Sequence, residues 1–483
     1  MDWTLQAFKI AFRCALVFIA LAALAQSRVT LTIDASSRGR AIADDFVGLS
    51  FETSNLLPDK SGAYFFSPAN QALVNLFQSI GIKNLRVGGA TVDLPRYGVP
   101  DHAAIDNLFA FAKTADVKVI YSFRLLNGNK TNAAELAGYI WHRYPQRLAA
   151  FSIGNEPDWM AYHNQDPNIT DYPTYLADWN NFAAAIAASA PGARLAGPDT
   201  GSNYPAPGAQ DTRFDGESWT QRFADDEKRL GFTPIILQHD YVGQSAKGVT
   251  IPTAVDAMLS PSWVNFNYPT LYQGVLARIV ADGLSYRLTE CNDCTGGVNG
   301  ASNAFASALW ALDYLHWWAA HGCAGVNFHN KRWIYTDTIY LDSAGNCRVN
   351  PKAYGLKAFA LGSHGRVITA IKATNPDGIN LNCYAVGDAN NLYVTIINKT
   401  HDSASAGAAV LIKPEHFIAR NGEYILLESA PASDPAAAAA KLGGATFTRS
   451  GSWHGVWTPL DLEADGQCAL TVKSASAAVI HFR

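Results

Sequence analysis

Two glutamates in this chain close short apolar runs. Ala149-Ala150-Phe151-Ser152-Ile153 leads through Gly154-Asn155 to Glu156-Pro157, and Arg287-Leu288-Thr289 leads to Glu290-Cys291-Asn292. Each run reads as a buried strand. Pro157 cannot donate to a ladder and turns the residue before it away from helical geometry, so Glu156 sits at a turn. Carboxylates delivered at two strand ends can face each other across the mouth of a closed eight-stranded barrel. Such a pair can cleave an acetal: a protonated carboxyl gives its proton to the departing oxygen while a charged one attacks the anomeric carbon. A gap of roughly 5 Å suits retention of configuration, and a wider one leaves room for water and inversion. The like charge of Glu290 is expected to raise the pKa of Glu156 and keep it a proton donor. The plain alternative is a glutamate in an exposed loop after a strand, and the surrounding elements decide between the two.

Those elements repeat as short apolar run, polar turn and amphipathic helix. Candidate strands cover 46–51, 83–87, 118–123, 149–153, 194–197, 234–239, 284–289 and 324–328. Helical spacing falls between them at 70–80, 103–115 and 175–190, and at 302–321 with Gly322 as a C-cap. Eight strands alternating with helices predict an α/β chain built on a (β/α)8 TIM barrel over 41–364. After a last helix near 351–361 the pattern turns to alternating runs between Asn, Asp and Gly turns, at 381–386, 392–397 and 469–472. Residues 365–483 therefore read as an antiparallel β-sandwich domain. The early strand 28–33, within 26–40, is expected to pair into it.

Residues 1–25 have the form of a secretory signal: Lys9 and Arg13, an apolar run over 14–22, then Ala23-Leu24-Ala25 before Gln26. The run is shorter than the roughly 20 residues of a spanning helix, which weighs against a membrane anchor. A secreted or periplasmic protein with no stable membrane insertion is expected. A net charge of −4, a pI near 6.3 and no dense Lys/Arg block argue against nucleic acid. The 12 Trp and 20 Tyr suit stacking on sugar rings, although core packing accounts for such residues equally well. Cys291 and Cys294 form a lone C-x-x-C with no His at metal spacing, which reads as a local bridge or two buried thiols rather than zinc. Asn129, Asn168 and Asn398 each begin a glycosylation sequon, meaningful only in a eukaryotic source.

Three motifs carry a family resemblance. Gly154-Asn155-Glu156-Pro157 resembles the acid/base strand of clan A retaining glycoside hydrolases. Leu85-Arg86-Val87-Gly88-Gly89-Ala90-Thr91-Val92-Asp93 resembles the second-strand motif of glycoside hydrolase family 79, the β-glucuronidase and heparanase family. Glu290 followed by Gly296-Gly297 resembles that family's nucleophile loop. The resemblance implies that Glu156 is the acid/base and Glu290 the nucleophile, with Asn155 bonding the sugar 2-hydroxyl. It implies Arg86 on the Glu290 carboxylate, where an ordinary interior ion pair is the competing reading. Asp93 is similar to a residue that contacts sugar hydroxyls, against a helix or turn cap, and Glu52 is read the same way. Tyr241, in His239-Asp240-Tyr241, is expected to bond the nucleophile, with His239 a satisfied interior histidine. The substrate's C6 carboxylate would be met by the backbone of Gly296 and Gly297 and by Tyr335, with positive potential from Lys331 and Arg332. Thr295 departs from the family, whose members often carry Tyr there.

The expected function is a retaining exo-β-glucuronidase that needs no metal or organic cofactor and takes a β-glucuronide carbohydrate. Alternatives are an endo-β-glucuronidase of the heparanase type, disfavoured by the lack of basic clusters, and a clan A β-glycosidase for neutral sugars. A non-enzymatic exported carbohydrate-binding protein has no need of both Glu156 and Glu290.

Overall fold

The computed structural model describes residues 28–162, 168–201, 218–331, 334–401 and 407–483. The leader-like residues 1–25, and Arg332, lie outside these.

Eight parallel strands close into a barrel: β1 (Val47–Glu52), β2 (Asn84–Gly88), β3 (Lys118–Phe123), β4 (Leu148–Ile153), β5 (Leu195–Thr200), β6 (Ile235–Tyr241), β7 (Tyr286–Asn292) and β8 (Val326–Asn330). They pair in sequence order, and β8 closes on β1 with Asn330 opposite Phe51. Most are buried along both faces, because helices cover the outside and side chains fill the inside; hence they read as apolar runs and not as alternating patterns. The helices start where short polar side chains take up unpaired N–H groups: Asn70 caps Gln71–Ile80, Asp101 caps His102–Ala115, and Asp171 with Thr174 forms a box before Tyr172–Ser189.

Two antiparallel or mixed sheets lie beside the barrel. The N-terminal strand Arg28–Asp34 pairs antiparallel with Ile371–Thr374 and parallel with Ala408–Glu415, in a four-stranded sheet completed by Cys468–Val472. Its Val29, Leu31 and Ile33 alternate inward and are fully buried. The second sheet has eight strands, with Leu392–Asn398 and Ser476–Phe482 near its centre. One face, through Val394, Ile396 and Ile480, packs on the four-stranded sheet, while Ile397, Ala477 and Val479 on the other face join the barrel's core. The helix Ala306–Ala320 shows the result: it is buried almost all round, since one side covers the barrel and the other meets this sheet.

A buried polar cluster fixes that junction. Asp313, on this helix, accepts hydrogen bonds from Asn382 Nδ2 at 2.7 Å, Tyr384 OH at 2.6 Å and Lys399 Nζ at 2.8 Å. Lys399 is fully buried. Asp313→Ala leaves its ammonium without a counter-charge and is expected to lower the unfolding free energy by about 3–5 kcal/mol. Urea denaturation is the measurement; a change below 1 kcal/mol would show the cluster to be dispensable.

All six cysteines among the described residues are free, so Cys291 and Cys294 are two buried thiols. Asn398 is fully buried with Nδ2 on the Val472 carbonyl, which removes it as a glycan acceptor in the folded chain.

Candidate active site

The carboxyl-terminal ends of the barrel strands converge on one acidic, largely buried cluster. After β4 the chain turns at Gly154 (φ +81°) and again at Glu156, whose own φ is +49°. A left-handed glutamate is strained by about 1–2 kcal/mol. Its N–H is pinned to the Asp199 carbonyl at 2.9 Å, and Pro157 then opens the short helix Pro157–Tyr162. Beside it stands Gly201, where an added Cβ would strike the Trp159 ring and lie 2.7 Å from the Glu156 carboxyl carbon. The chain thus leaves room for this carboxyl by having no side chain at 201.

Glu290, on β7, is gripped at both oxygens. Arg86 Nη1 donates to Oε2 at 2.8 Å and Tyr241 OH donates to Oε1 at 2.6 Å. His329, at the end of β8, has Nδ1 3.6 Å from Oε2. One oxygen of Glu156, one of Glu290 and a ring nitrogen of His239 all lie within 4.8 Å of one another. Three such atoms could in principle hold a metal, but both ring nitrogens of His239 already face carboxylates, Glu156 Oε1 and Asp199 Oδ1, each at 3.0 Å. The donor set suits a hydrogen-bonded network better than a cation.

The two glutamates have opposite electrostatics. Burial raises Glu156, and the charges of Glu290 and Asp158 push the same way, against His239. Burial also acts on Glu290, but the charges of His329, His239 and Arg86 outweigh it and bring the carboxyl down to about 2. The surroundings thus favour the protonated form of Glu156 and the ionised form of Glu290, the split that acid and nucleophile require.

Arg86 is fully buried and organises this arrangement. Besides Glu290 it donates through Nη2 to Asn155 Oδ1 at 2.7 Å and to Asp199 Oδ2 at 2.5 Å. Holding the Asn155 oxygen directs that side chain's Nδ2 elsewhere. Asp93 lies beneath the mouth, 3% exposed, and accepts the backbone N–H groups of Leu125, Leu126 and Asn155 at 2.7, 2.9 and 2.9 Å. Its place is that of a tie between three loops, closer to the turn-cap reading than to a sugar contact. Glu52, at the end of β1, accepts the Thr91 N–H at 2.7 Å and has Lys331 Nζ 2.9 Å from its other oxygen.

The Gly-Gly loop follows Glu290 by six residues and is held against the segment after β8: Tyr335 N–H donates to the Gly296 carbonyl at 3.0 Å. Both glycines are left-handed, at φ +79° and +76°, and a Cβ on Gly297 would meet Thr336 Cγ2 at 2.8 Å. Among the described residues neither glycine's N–H donates to a protein acceptor. Tyr335 is 45% exposed. Thr295 donates its N–H to the Gln244 carbonyl at 2.7 Å.

Two members of the cluster are absent from the sequence-derived set. Asp199 falls two residues beyond the fifth apolar run, in Gly197-Pro198-Asp199, which looks like a loop although β5 continues to Thr200. His329 is the penultimate residue of β8, just past the eighth run. A search for polar residues one or two places beyond every run would have found both. His239 is an interior histidine with both nitrogens occupied, as expected, but its partners are Glu156 and Asp199.

No protein-family model and no curated protein sequence matches the chain. Its structure is similar to that of a 4-O-α-L-rhamnosyl-β-D-glucuronidase from Fusarium oxysporum 12S (TM-score 0.69, 16% identity, 93% of this chain and 99% of that one). It is similar also to a GH51 arabinofuranosidase from Xanthomonas axonopodis pv. citri (0.66, 12%, 95% and 100%) and to a Paenibacillus polymyxa xyloglucanase of family 44 (0.63, 12%, 94% and 99%). The fold is that of these glycoside hydrolases. At such identities the likeness extends to the barrel and its accompanying sheets, and nothing about substrate follows from it.

Proposed function

We propose that this chain is a retaining glycoside hydrolase acting as an exo-β-glucuronidase, a member of family 79. One observation carries the hydrolase reading: oxygens of Glu156 and Glu290 lie within 4.8 Å, with burial raising the first and surrounding cations lowering the second. That separation fits double displacement. Glu290 attacks the anomeric carbon, and Glu156 protonates the departing oxygen. Glu156 then takes a proton from water, which releases the sugar with its configuration kept. Asn155 Nδ2 is suited to bond the 2-hydroxyl.

The uronate reading rests on the Gly296-Gly297 turn. Gly296 and Gly297, at φ +79° and +76°, leave two neighbouring backbone N–H groups without a protein acceptor among the described residues, and backbone N–H groups of this kind can meet an anion. Lys331, paired with Glu52 at the mouth, adds positive charge. The leader-like first 25 residues support export.

Initial rates on matched aryl β-glucuronide and aryl β-glucoside test the substrate class. A site that hydrogen-bonds the carboxylate discriminates against an analogue that lacks it, so kcat/KM is expected to favour the glucuronide by at least about 100-fold. Preference for the glucoside would overturn the uronate assignment and leave the two-carboxylate mechanism standing.

A further inference from the structure

The cluster contains an aspartate and a histidine that the two-carboxylate scheme leaves without a task. Asp199 is fully buried, φ +63°, and reaches both halves of the site. Its Oδ2 accepts from Arg86, which also holds Glu290. Its Oδ1 accepts from the Thr289 hydroxyl and faces His239 Nε2 at 3.0 Å, and His239 Nδ1 faces Glu156 Oε1 at the same distance. Nucleophile, arginine, aspartate, histidine and acid/base thus form one unbroken chain of contacts.

We propose that Asp199 is a positioning residue that holds His239 as an imidazolium donating to Glu156, and through it governs the proton on the acid/base. The inference rests on the reading of Glu156 as that acid/base. Asp199 receives donors from Arg86 and Thr289, so it is an ionised acceptor; against its burial, the charges of Arg86 and His239 hold it well below the usual carboxylate range. Nε2 must therefore carry a hydrogen. With Nε2–H fixed, Nδ1 either donates to Glu156 Oε1, the acid/base proton then lying on Oε2, or accepts a hydrogen carried by Oε1. Burial disfavours the cation, but the charges of Asp199 and Glu290 prevail and lift His239 to about 10, which selects the donating form.

The consequence for the reaction is specific. Glu156 Oε1 stays on the ring, which leaves Oε2 to meet the glycosidic oxygen. When Glu156 gives its proton to the leaving group, the new carboxylate faces an N–H of a cation; when water attacks, the proton returns to Glu156. His239 keeps both hydrogens throughout, so the proton count closes on Glu156 and water alone. The other charges facing this pair are Glu290 and Asp158 beside Glu156, and Arg86, His329, Lys331 and Glu52 across the mouth. Of the groups around the ring, Asp199 alone bonds both His239 and Arg86.

The test is ¹⁵N NMR of ring-labelled histidine, with His239 assigned by His239→Gln, together with pH–rate profiles. In the wild type both ring nitrogens of His239 are expected to stay protonated at pH 8. In Asp199→Asn the ring should lose a proton below that pH. Glu156 then no longer faces a cation, and the alkaline limb of kcat/KM is expected to move up by about one unit. His239→Gln should move that limb equally, and the double variant no further, because both act through one contact. A ring neutral at pH 7 in the wild type, or one whose charge ignores Asp199→Asn, would overturn the proposal. So would a fall in kcat with the alkaline limb unmoved. If Asp199→Asn does not fold, the wild-type spectrum and His239→Gln still decide. Lack of turnover on any aryl glycoside would instead count against the proposed reaction, with the ring measurement unaffected.

Discussion

Glu290→Ala is expected to lower kcat/KM on an aryl β-glycoside by about 10⁴-fold or more, the scale seen when a covalent nucleophile is lost. Sodium azide should then restore turnover and give the α-glycosyl azide. The reason lies in what the substitution leaves behind. Removing the carboxylate opens a space still lined by Arg86 Nη1 and the Tyr241 hydroxyl, two donors that held an anion there. A small anion entering that space attacks from the side Glu290 used, but no second displacement follows, so the configuration inverts. Product anomers are read by NMR. Activity within tenfold of wild type, or a β-azide, would move the nucleophile elsewhere.

The second large effect belongs to Glu156 and should depend on the leaving group. General acid assistance contributes about 10²–10⁴-fold. Glu156→Ala is therefore expected to lose about that much on glycosides of poorly acidic alcohols. Aryl glycosides whose phenols leave unaided should be cleaved nearly normally in the first step. Azide should accelerate the second step and yield the β-glycosyl azide, because it attacks an intermediate on Glu290 from the face that water uses. The alkaline limb of the pH profile should vanish with the carboxyl: burial and the neighbouring charge of Glu290 raise the wild-type group, so loss of its proton is what ends activity at high pH. A uniform loss across leaving groups would argue that Glu156 positions substrate and does not protonate it.

Much of this architecture was legible in the chain because barrel strands are buried on both faces and stand out as apolar runs between turns. All eight runs correspond to strands, with ends shifted by a few residues. Those shifts are small for the fold and decisive for the candidate site, because its side chains occupy strand ends. Glu156 and Glu290 stand out in the sequence because a single charge after an apolar run is conspicuous. Asp199 does not, since Gly197-Pro198 breaks the apolar pattern while β5 continues through it. Asp93 shows a different limit. Its carboxylate collects three N–H groups from two distant loops, and no local spacing announces such a tie. The same holds for Asp313 and Lys399, an ion pair between a barrel helix and a sheet that depends wholly on how the two come together.

The eight-stranded sheet, which packs on the barrel with one face and on the four-stranded sheet with the other, sets a limit on how this protein can be divided. Its first strand in the chain, Arg38–Ala41, precedes the barrel, and its remaining strands follow it. The barrel is thus an insertion within a sheet whose inner face serves as part of the barrel's own wall. An appended module could be exchanged or lost without cost to the barrel; this one could not, because its removal would expose the buried helix Ala306–Ala320 and strand Lys399's partner. The two parts are therefore one cooperative unit, and neither can be excised without uncovering apolar surface in the other.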